Sequence, residues 1–373
     1  METPLRIFWL HPRLREYRQP FFSLMNSDYR ITFFFQQSSE IEHDFHALVS
    51  SRNRSAQFVP WTMSWKDLHS LRAQIRESDV VISSFIGNCY TYLSLALARV
   101  YRKPFIVWEE WMGLNRSKLR YIVREAICTR LLSLADCIYT LGPRQESLYR
   151  DLGYPPERIF RANEYPGHVF SSVAPSPCEW NIREDNQVVL YLGRLIEVKG
   201  IDYLIRAFPA VVRRHDQAVL VVVGEGPEER RLKTLTEELG LENVHFLGSI
   251  QDVHQRAFLY QRACVVAVPS VETRSKSDPG PLVTLEALSA GTPVVISDAV
   301  GNAHHIKGGV SGYIVPQKNP SALANAICRC LSGQVGTRRE ILDEFARIPG
   351  FAFQKQKMDE AIAKALAHRR SAA

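Results

Sequence analysis

Asp278 and Glu286, eight positions apart, stand on either side of what reads as a helix start, in the run Ser277-Asp278-Pro279-Gly280-Pro281-Leu282-Val283-Thr284-Leu285-Glu286. Pro279 and Pro281 suit a loop entering a helix, because the first turn needs no N–H from them. From Leu282 onward the apolar residues recur at helical spacing. A helical rise of 1.5 Å per residue sets the two carboxyl groups roughly 10 Å apart along one side. The free N–H groups near Gly280, Leu282 and Val283 then face whatever lies before the helix. Such an arrangement can seat an anion or a polyol with a carboxylate at each end. An ordinary surface helix behind a Pro/Gly loop fits the same residues.

Other stretches carry chemistry of their own. Gly193-Arg194-Leu195-Ile196-Glu197-Val198-Lys199-Gly200 follows an apolar run. Its glycines let backbone approach a ligand, Arg194 offers a planar fork, and Lys199 offers a compact ammonium. That combination favours a phosphate over a merely solvated basic loop. Gly224-Glu225-Gly226-Pro227-Glu228-Glu229 has Glu229 where a dinucleotide fingerprint needs its third glycine, which disfavours nicotinamide binding. Trp108-Glu109-Glu110-Trp111 could meet a sugar through aromatic stacking and carboxylate hydrogen bonds, or could simply be an acidic helix start. His304 and His305 sit in a further loop, as ligand contacts or as an exposed turn. No Asp-x-Asp pair offers a metal–diphosphate clamp, and no G-x-S-x-G anchors a serine triad.

These loops need a scaffold. Short apolar runs at Arg6–Leu10, Ile31–Phe35, Asp79–Ser83, Phe105–Trp108 and Cys137–Thr140 alternate with helical patterns. After a polar, proline-containing stretch the pattern restarts, with runs at Val188–Leu192, Val219–Val223, Val244–Leu247, Val265–Val268 and Pro293–Ile296. Near-continuous apolar strands alternating with helices imply parallel sheets covered on both faces. The fold class is therefore α/β, with two Rossmann-like doubly wound domains facing across a cleft. The boundaries read as 1–170 for the first domain, 171–185 for a linker, 186–345 for the second domain, and 346–373 for a terminal helix returning to the first. Doubly wound sheets bind ligands beyond the carboxyl ends of their strands, where all the loops above lie.

Composition narrows the partners. The 373 residues suffice for two cores, and 46% hydrophobic with 23% charged residues is globular. The net charge of +7 favours anionic partners but is spread along the chain, so nucleic acid is a weak inference and a nucleotide or an anionic membrane surface fits equally well. The seven cysteines are odd in number and include no C-x-x-C pair, which reads as reduced thiols, no zinc site and a cytoplasmic protein. The first residues lack the apolar core of a signal peptide, and no apolar run is long enough to span a bilayer. The basic amphipathic stretch 116–127 offers contact with the inner membrane face, although a helix burying one side and solvating the other fits it better.

Five motifs occur in a telling order: Gly193-Arg194 with Lys199-Gly200, Gly224-Glu225-Gly226-Pro227, Phe246-Leu247-Gly248, Asp278 to Val295, and Gly312-Tyr313-Ile314-Val315-Pro316. Together they resemble the C-terminal half of the large retaining GT-B glycosyltransferase family that includes sucrose synthases and bacterial mannosyltransferases (glycosyl transferases group 1). Tyr17-Arg18-Gln19-Pro20-Phe21-Phe22 looks like the opening of members lacking the usual Gly-Gly loop. The resemblance implies a nucleotide diphosphate sugar donor, a glycan or lipid-linked acceptor, transfer with anomeric retention, and no metal or other cofactor. Carried over, Arg194 and Lys199 hold the diphosphate, Glu286 the ribose, and Asp278 the transferred sugar. Gly193, Gly280, Pro281 and Leu282 line the donor, Ser249 and Ile250 meet the base, and Arg18, Glu109 and Glu110 lie on the acceptor side. Two departures stand out. Glu110 takes the approximate place of the family's N-domain histidine, and Gly301-Asn302-Ala303-His304-His305 replaces its Gly-Gly-x-x-Glu. An epimerase or hydrolase on this fold, or a non-catalytic glycan- or nucleotide-binding protein, is the alternative.

Overall fold

Strands apolar on both faces must be covered on both faces, and the alternation of side chains along each strand divides them between two cores. The computed structural model describes residues 4–11, 16–36, 54–59, 65–84, 89–109, 130–177, 182–273 and 277–371. Glu110, Trp111 and the basic stretch 116–127 lie outside the described residues. The chain divides into two compact units, Met1–Asn163 with Pro349–Ala373, and Glu164–Ile348.

Among the described residues, unit 1 is built on a seven-stranded sheet in the order β3-β2-β1-β4-β5-β6-β7. The strands are β1 (Arg6–His11), β2 (Arg30–Gln36), β3 (Arg54–Val59), β4 (Val80–Ser84), β5 (Phe105–Glu109), β6 (Cys137–Thr140) and β7 (Ile159–Arg161), and every pairing is parallel. Helices α1 (Gln19–Asp28), α2 (Trp65–Glu77), α3 (Cys89–Val100) and α4 (Pro143–Asp151) accompany it. Ile7 and Trp9 enter one core with Phe21, Phe22, Trp108 and Tyr139, while Phe8 and Leu10 enter the other with Phe34, Leu71 and Ile75.

Unit 2 repeats the plan with β8 (Gln187–Leu192), β9 (Ala218–Val223), β10 (Val244–Gly248), β11 (Val265–Val268), β12 (Val294–Ser297) and β13 (Gly312–Val315), ordered β10-β9-β8-β11-β12-β13. Its helices are α5 (Ile201–Val212), α6 (Glu229–Glu238), α7 (Val253–Arg262), α8 (Leu282–Ser289), α9 (Pro320–Leu331) and α10 (Arg338–Ala346). Thr284 through Ser289 of α8 are all buried, so this is an internal helix rather than an amphipathic surface one. The strand order reverses between β8 and β11, so the loops that follow these two strands diverge and leave a crevice at the switch point. The Gly193–Gly200 and Asp278 loops are those two loops.

The described parts of the stretch expected as a linker, residues 171–177 and 182–185, fall within unit 2. Ser171 N–H donates to the Ser289 carbonyl at 2.9 Å, and Ser176 N–H to the His254 carbonyl at 3.0 Å. The chain crosses between units at Asn163/Glu164 and again at Ile348/Pro349. It then ends in α11 (Phe351–Ser371), whose Met358, Ala361, Ile362 and Ala365 complete the unit-1 core around Trp9 and Trp108.

Asp136 fastens α11 to the unit-1 sheet. Its fully buried carboxylate accepts from Phe105 N–H at 2.8 Å and from Arg369 Nε at 3.1 Å, with His368 Nδ1 at 2.9 Å. Truncation would leave the Arg369 guanidinium, the His368 ring and a buried backbone donor without this acceptor. Asp136→Ala is expected to cost unit 1 about 3 kcal/mol, read as a lowered urea midpoint with earlier proteolysis of α11.

Candidate functional site

The loop after β8 turns at Gly200, whose φ of 62° is left-handed and whose place a Cβ would share with the Pro269 carbonyl oxygen at 2.2 Å. Only glycine lets the two switch-point loops approach that closely. This approach delivers Lys199 to Asp278. The ammonium lies 2.7 Å from Asp278 Oδ2, and both side chains are largely buried, at 15% and 8% exposed. The Ser270 hydroxyl donates to the same Oδ2 at 2.6 Å, and the Ser297 hydroxyl in turn donates to the Ser270 carbonyl. The Asp278 carbonyl accepts from Gly301 N–H at 3.1 Å. Among the described residues, Asp278 Oδ1 has no hydrogen bond.

Asp278 therefore precedes α8 as a fixed acceptor, and Pro281 is the N-cap residue. No side chain caps this helix; Thr284 N–H donates to the Pro281 carbonyl at 3.1 Å, which leaves the Leu282 and Val283 N–H groups as the available ones among the described residues. Behind the helix start, Asn302 Nδ2 donates to the Pro281 carbonyl at 3.1 Å, which orients the amide. Asn302 Oδ1 and Thr284 Oγ1 are buried without a hydrogen-bond partner. The sequence marks Asn302 only as part of the Gly301–His305 departure from the family pattern and gives it no role of its own. At the far end of the site, Glu286 is 7% exposed and accepts from the Tyr260 hydroxyl at 2.6 Å. Burial, and then the Glu286 charge, hold the Tyr260 phenol well above its ordinary range, so it remains a donor.

Arg194 is exposed and makes no ion pair among the described residues, unlike Lys199. Gly193 precedes it with φ 154°. Gly280 lies against Glu164, whose Oε2 would be 2.4 Å from an added Cβ. Ser249 is exposed, with its N–H 3.3 Å from Glu225 Oε1, and Ile250 packs on the core beneath. A separate cavity of about 780 Å³ is lined by Glu197, Asp202, Glu228, Arg231 and Glu272 among others, with neither Asp278 nor Glu286 in its wall.

In unit 1, Glu109 closes β5 and is 1% exposed, with Thr140 opposite it on β6. Burial, and then the nearby Glu109 charge, raise the Tyr149 phenol well above its usual range. Arg18 is buried, with its guanidinium 4.9 Å from the Trp108 ring centre. His11 ends β1 and is 4% exposed beside Trp108.

Residues 176–348 match the model of the family described as glycosyl transferases group 1. That match takes in nearly all of unit 2 and just under half of the chain. It is similar to an uncharacterised glycosyltransferase of Methanocaldococcus jannaschii, 41% identical over 152 residues, which are 40% of this chain and 37% of that protein. It is also similar to a phosphatidyl-myo-inositol mannosyltransferase of Mycobacterium leprae, 34% identical over 158 residues, or 42% of this chain and 40% of that one. The matches thus span about two fifths of those relatives. The fold is GT-B. The structure of Anabaena HepE in complex with UDP superposes with a TM-score of 0.78 at 17% identity, covering 96% of this chain and all of that one.

Unit 2 departs from the frequent group 1 pattern at His305. Burial, with His304 beside it, lowers this imidazole from 6.5 to about 3. In acid the unfolded histidine protonates first, so unit 2 keeps this stability above about 6.5 and loses it as the pH falls toward 3. The expected slope is about 1.4 kcal/mol per pH unit in that window. His305→Gln should flatten it, as read by urea unfolding at pH 6.5 and 4.5.

Proposed function

We propose that this protein is a glycosyltransferase. It moves a sugar from a nucleotide diphosphate sugar to a glycan or lipid-linked acceptor, with retention and without a metal. The observation that carries this reading is the shared Asp278 cluster, which joins a cation, Lys199, to the uncapped start of α8. The match of residues 176–348 to the group 1 family model supports it, as does the UDP in the Anabaena structure. The mannosyltransferase relative, whose name gives a phosphatidylinositol acceptor, supports the lipid-linked class.

The residue roles are those the family resemblance implies, and the geometry around Asp278 and Glu286 supports them. As the bond from the sugar's anomeric carbon to the diphosphate oxygen breaks, negative charge grows on the phosphates. Arg194, Lys199 and the free N–H groups of α8 stabilise that charge where it develops. Asp278 Oδ2 already accepts two hydrogen bonds and is a poor nucleophile; Oδ1 is left to accept from a sugar hydroxyl. Asn302 Oδ1 and Thr284 Oγ1 are further acceptors for donor hydroxyls. The acceptor oxygen then bonds to the anomeric carbon on the face the diphosphate leaves, and its proton passes to the departing phosphate oxygen. Glu286 takes the ribose hydroxyls, and Ser249 and Ile250 the base. Gly193, Gly280, Pro281 and Leu282 bring backbone to the phosphates and sugar. Acceptor recognition is assigned to the carboxyl edge of the unit-1 sheet, where Arg18 and Glu109 stand.

Two variants test this reading. Arg194→Ala, at a side chain that is exposed and makes no ion pair among the described residues, should lower kcat/KM about tenfold with an unchanged melting temperature. Lys199→Ala should lower transfer by more than tenfold, about 1.4 kcal/mol or more of transition-state stabilisation, while circular dichroism stays native. Transfer at the wild-type rate in both variants would contradict the reading. Proton NMR of the product should show the anomeric configuration of the donor.

A further inference from the structure

Glu286 is held by residues of another helix. Its Oε2 accepts from the Tyr260 hydroxyl at 2.6 Å, and its Oε1 lies 3.4 Å from Arg256 Nη2. Both partners are on α7, one helical turn apart, so they reach Glu286 from one face. Phe170 backs them both. Its ring meets the Tyr260 ring edge-on at 4.9 Å between centres, and the Arg256 guanidinium carbon lies 5.2 Å from its centre. Phe170 is itself fixed, with its N–H donating to Ser289 Oγ at 3.0 Å and its carbonyl accepting from Gln261 Nε2 at 2.9 Å.

The unequal grip on the two carboxylate oxygens has a consequence. A bidentate arginine fork would engage both oxygens. Here one short bond from a neutral hydroxyl fixes Oε2, while Oε1 has only a long contact and keeps its capacity to accept. Phe170 and Tyr260 are fully buried, so the phenol cannot swing away without opening the core. The carboxylate plane is set before any ligand arrives, which cuts the ordering cost of binding.

We propose that Tyr260 is a positioning residue for the nucleotide ribose: backed by Phe170 and assisted by Arg256, it orients Glu286 so that Oε1 accepts the ribose hydroxyls. This rests on the assignment of Glu286 to the ribose made above.

Calorimetric titration with UDP, GDP and ADP selects the nucleotide that binds, and its 2′,3′-dideoxyribose counterpart serves as the control. Tyr260→Phe removes one oxygen and keeps the ring. It should weaken the ribonucleotide about tenfold, yet bind the dideoxy form within about twofold of wild type. With the sugar donor, KM should rise by the same factor while kcat stays within about threefold. Arg256→Gln should show a smaller loss with the same dependence on ribose, and it carries the test if Tyr260→Phe does not fold. Equal weakening of both nucleotides would make Tyr260 a structural residue and overturn the inference, as would no weakening of either. A wild type that binds the two nucleotides alike would remove the ribose role of Glu286 as well. Binding of none of the three nucleotides would overturn the donor reading itself.

Discussion

A largely buried ion pair between Lys199 and Asp278 joins the two loops that diverge at the switch point of unit 2. Such a pair is weak evidence of net stabilisation, because two desolvated charges must be repaid by geometry and hydrogen bonds. Here repayment comes from Ser270, which gives Oδ2 a second donor, and from the backbone bond of Gly301 to the Asp278 carbonyl. The arrangement makes more sense as a device for function. An ammonium kept in place by a carboxylate is already oriented for an incoming anion and needs little reorganisation when negative charge develops nearby. The close packing at Gly200 and the buried character of α8 are both conditions for that pair.

The charged groups divide by their freedom. Lys199, Asp278 and Glu286 are immobilised by partners, whereas Arg194 is exposed and unpaired among the described residues. Fixed groups provide geometry, and a mobile fork can follow a diphosphate as its charge shifts. His305, in the loop after β12, differs from these groups: burial and the neighbouring His304 lower its pKa to about 3.

The central strands of both sheets were legible as apolar runs, because a strand covered on both faces must be apolar throughout. The strands that were not read, β3, β7 and β13, are sheet edges. Arg54-Ser55-Ala56-Gln57 at the start of β3 shows no such run, and β7 has only three residues. The attachment of residues 171–177 was hidden for a related reason. Their prolines and serines look like a linker, yet backbone hydrogen bonds to Ser289 and His254, which no local pattern encodes, tie them to unit 2. In the site, the carboxylates and cations were visible from their types and loop positions. Their partners were not, since Tyr260 reaches Glu286 across 26 positions and Lys199 reaches Asp278 across 79. Tyr260 sits in a helical pattern where an aromatic residue reads as plain core, and only the fold reveals its hydroxyl as a donor.

The central claim is that protein cations and helix N–H groups, rather than a metal ion, hold a nucleoside diphosphate in unit 2. Calorimetric titration of the wild-type protein in EDTA, comparing UDP, GDP and ADP with their monophosphates, tests it most directly. The account predicts that one diphosphate binds in EDTA at least tenfold more tightly than its monophosphate, with added Mg²⁺ giving no gain. Binding that appears only with Mg²⁺, or equal affinity for the diphosphate and the monophosphate, would contradict it.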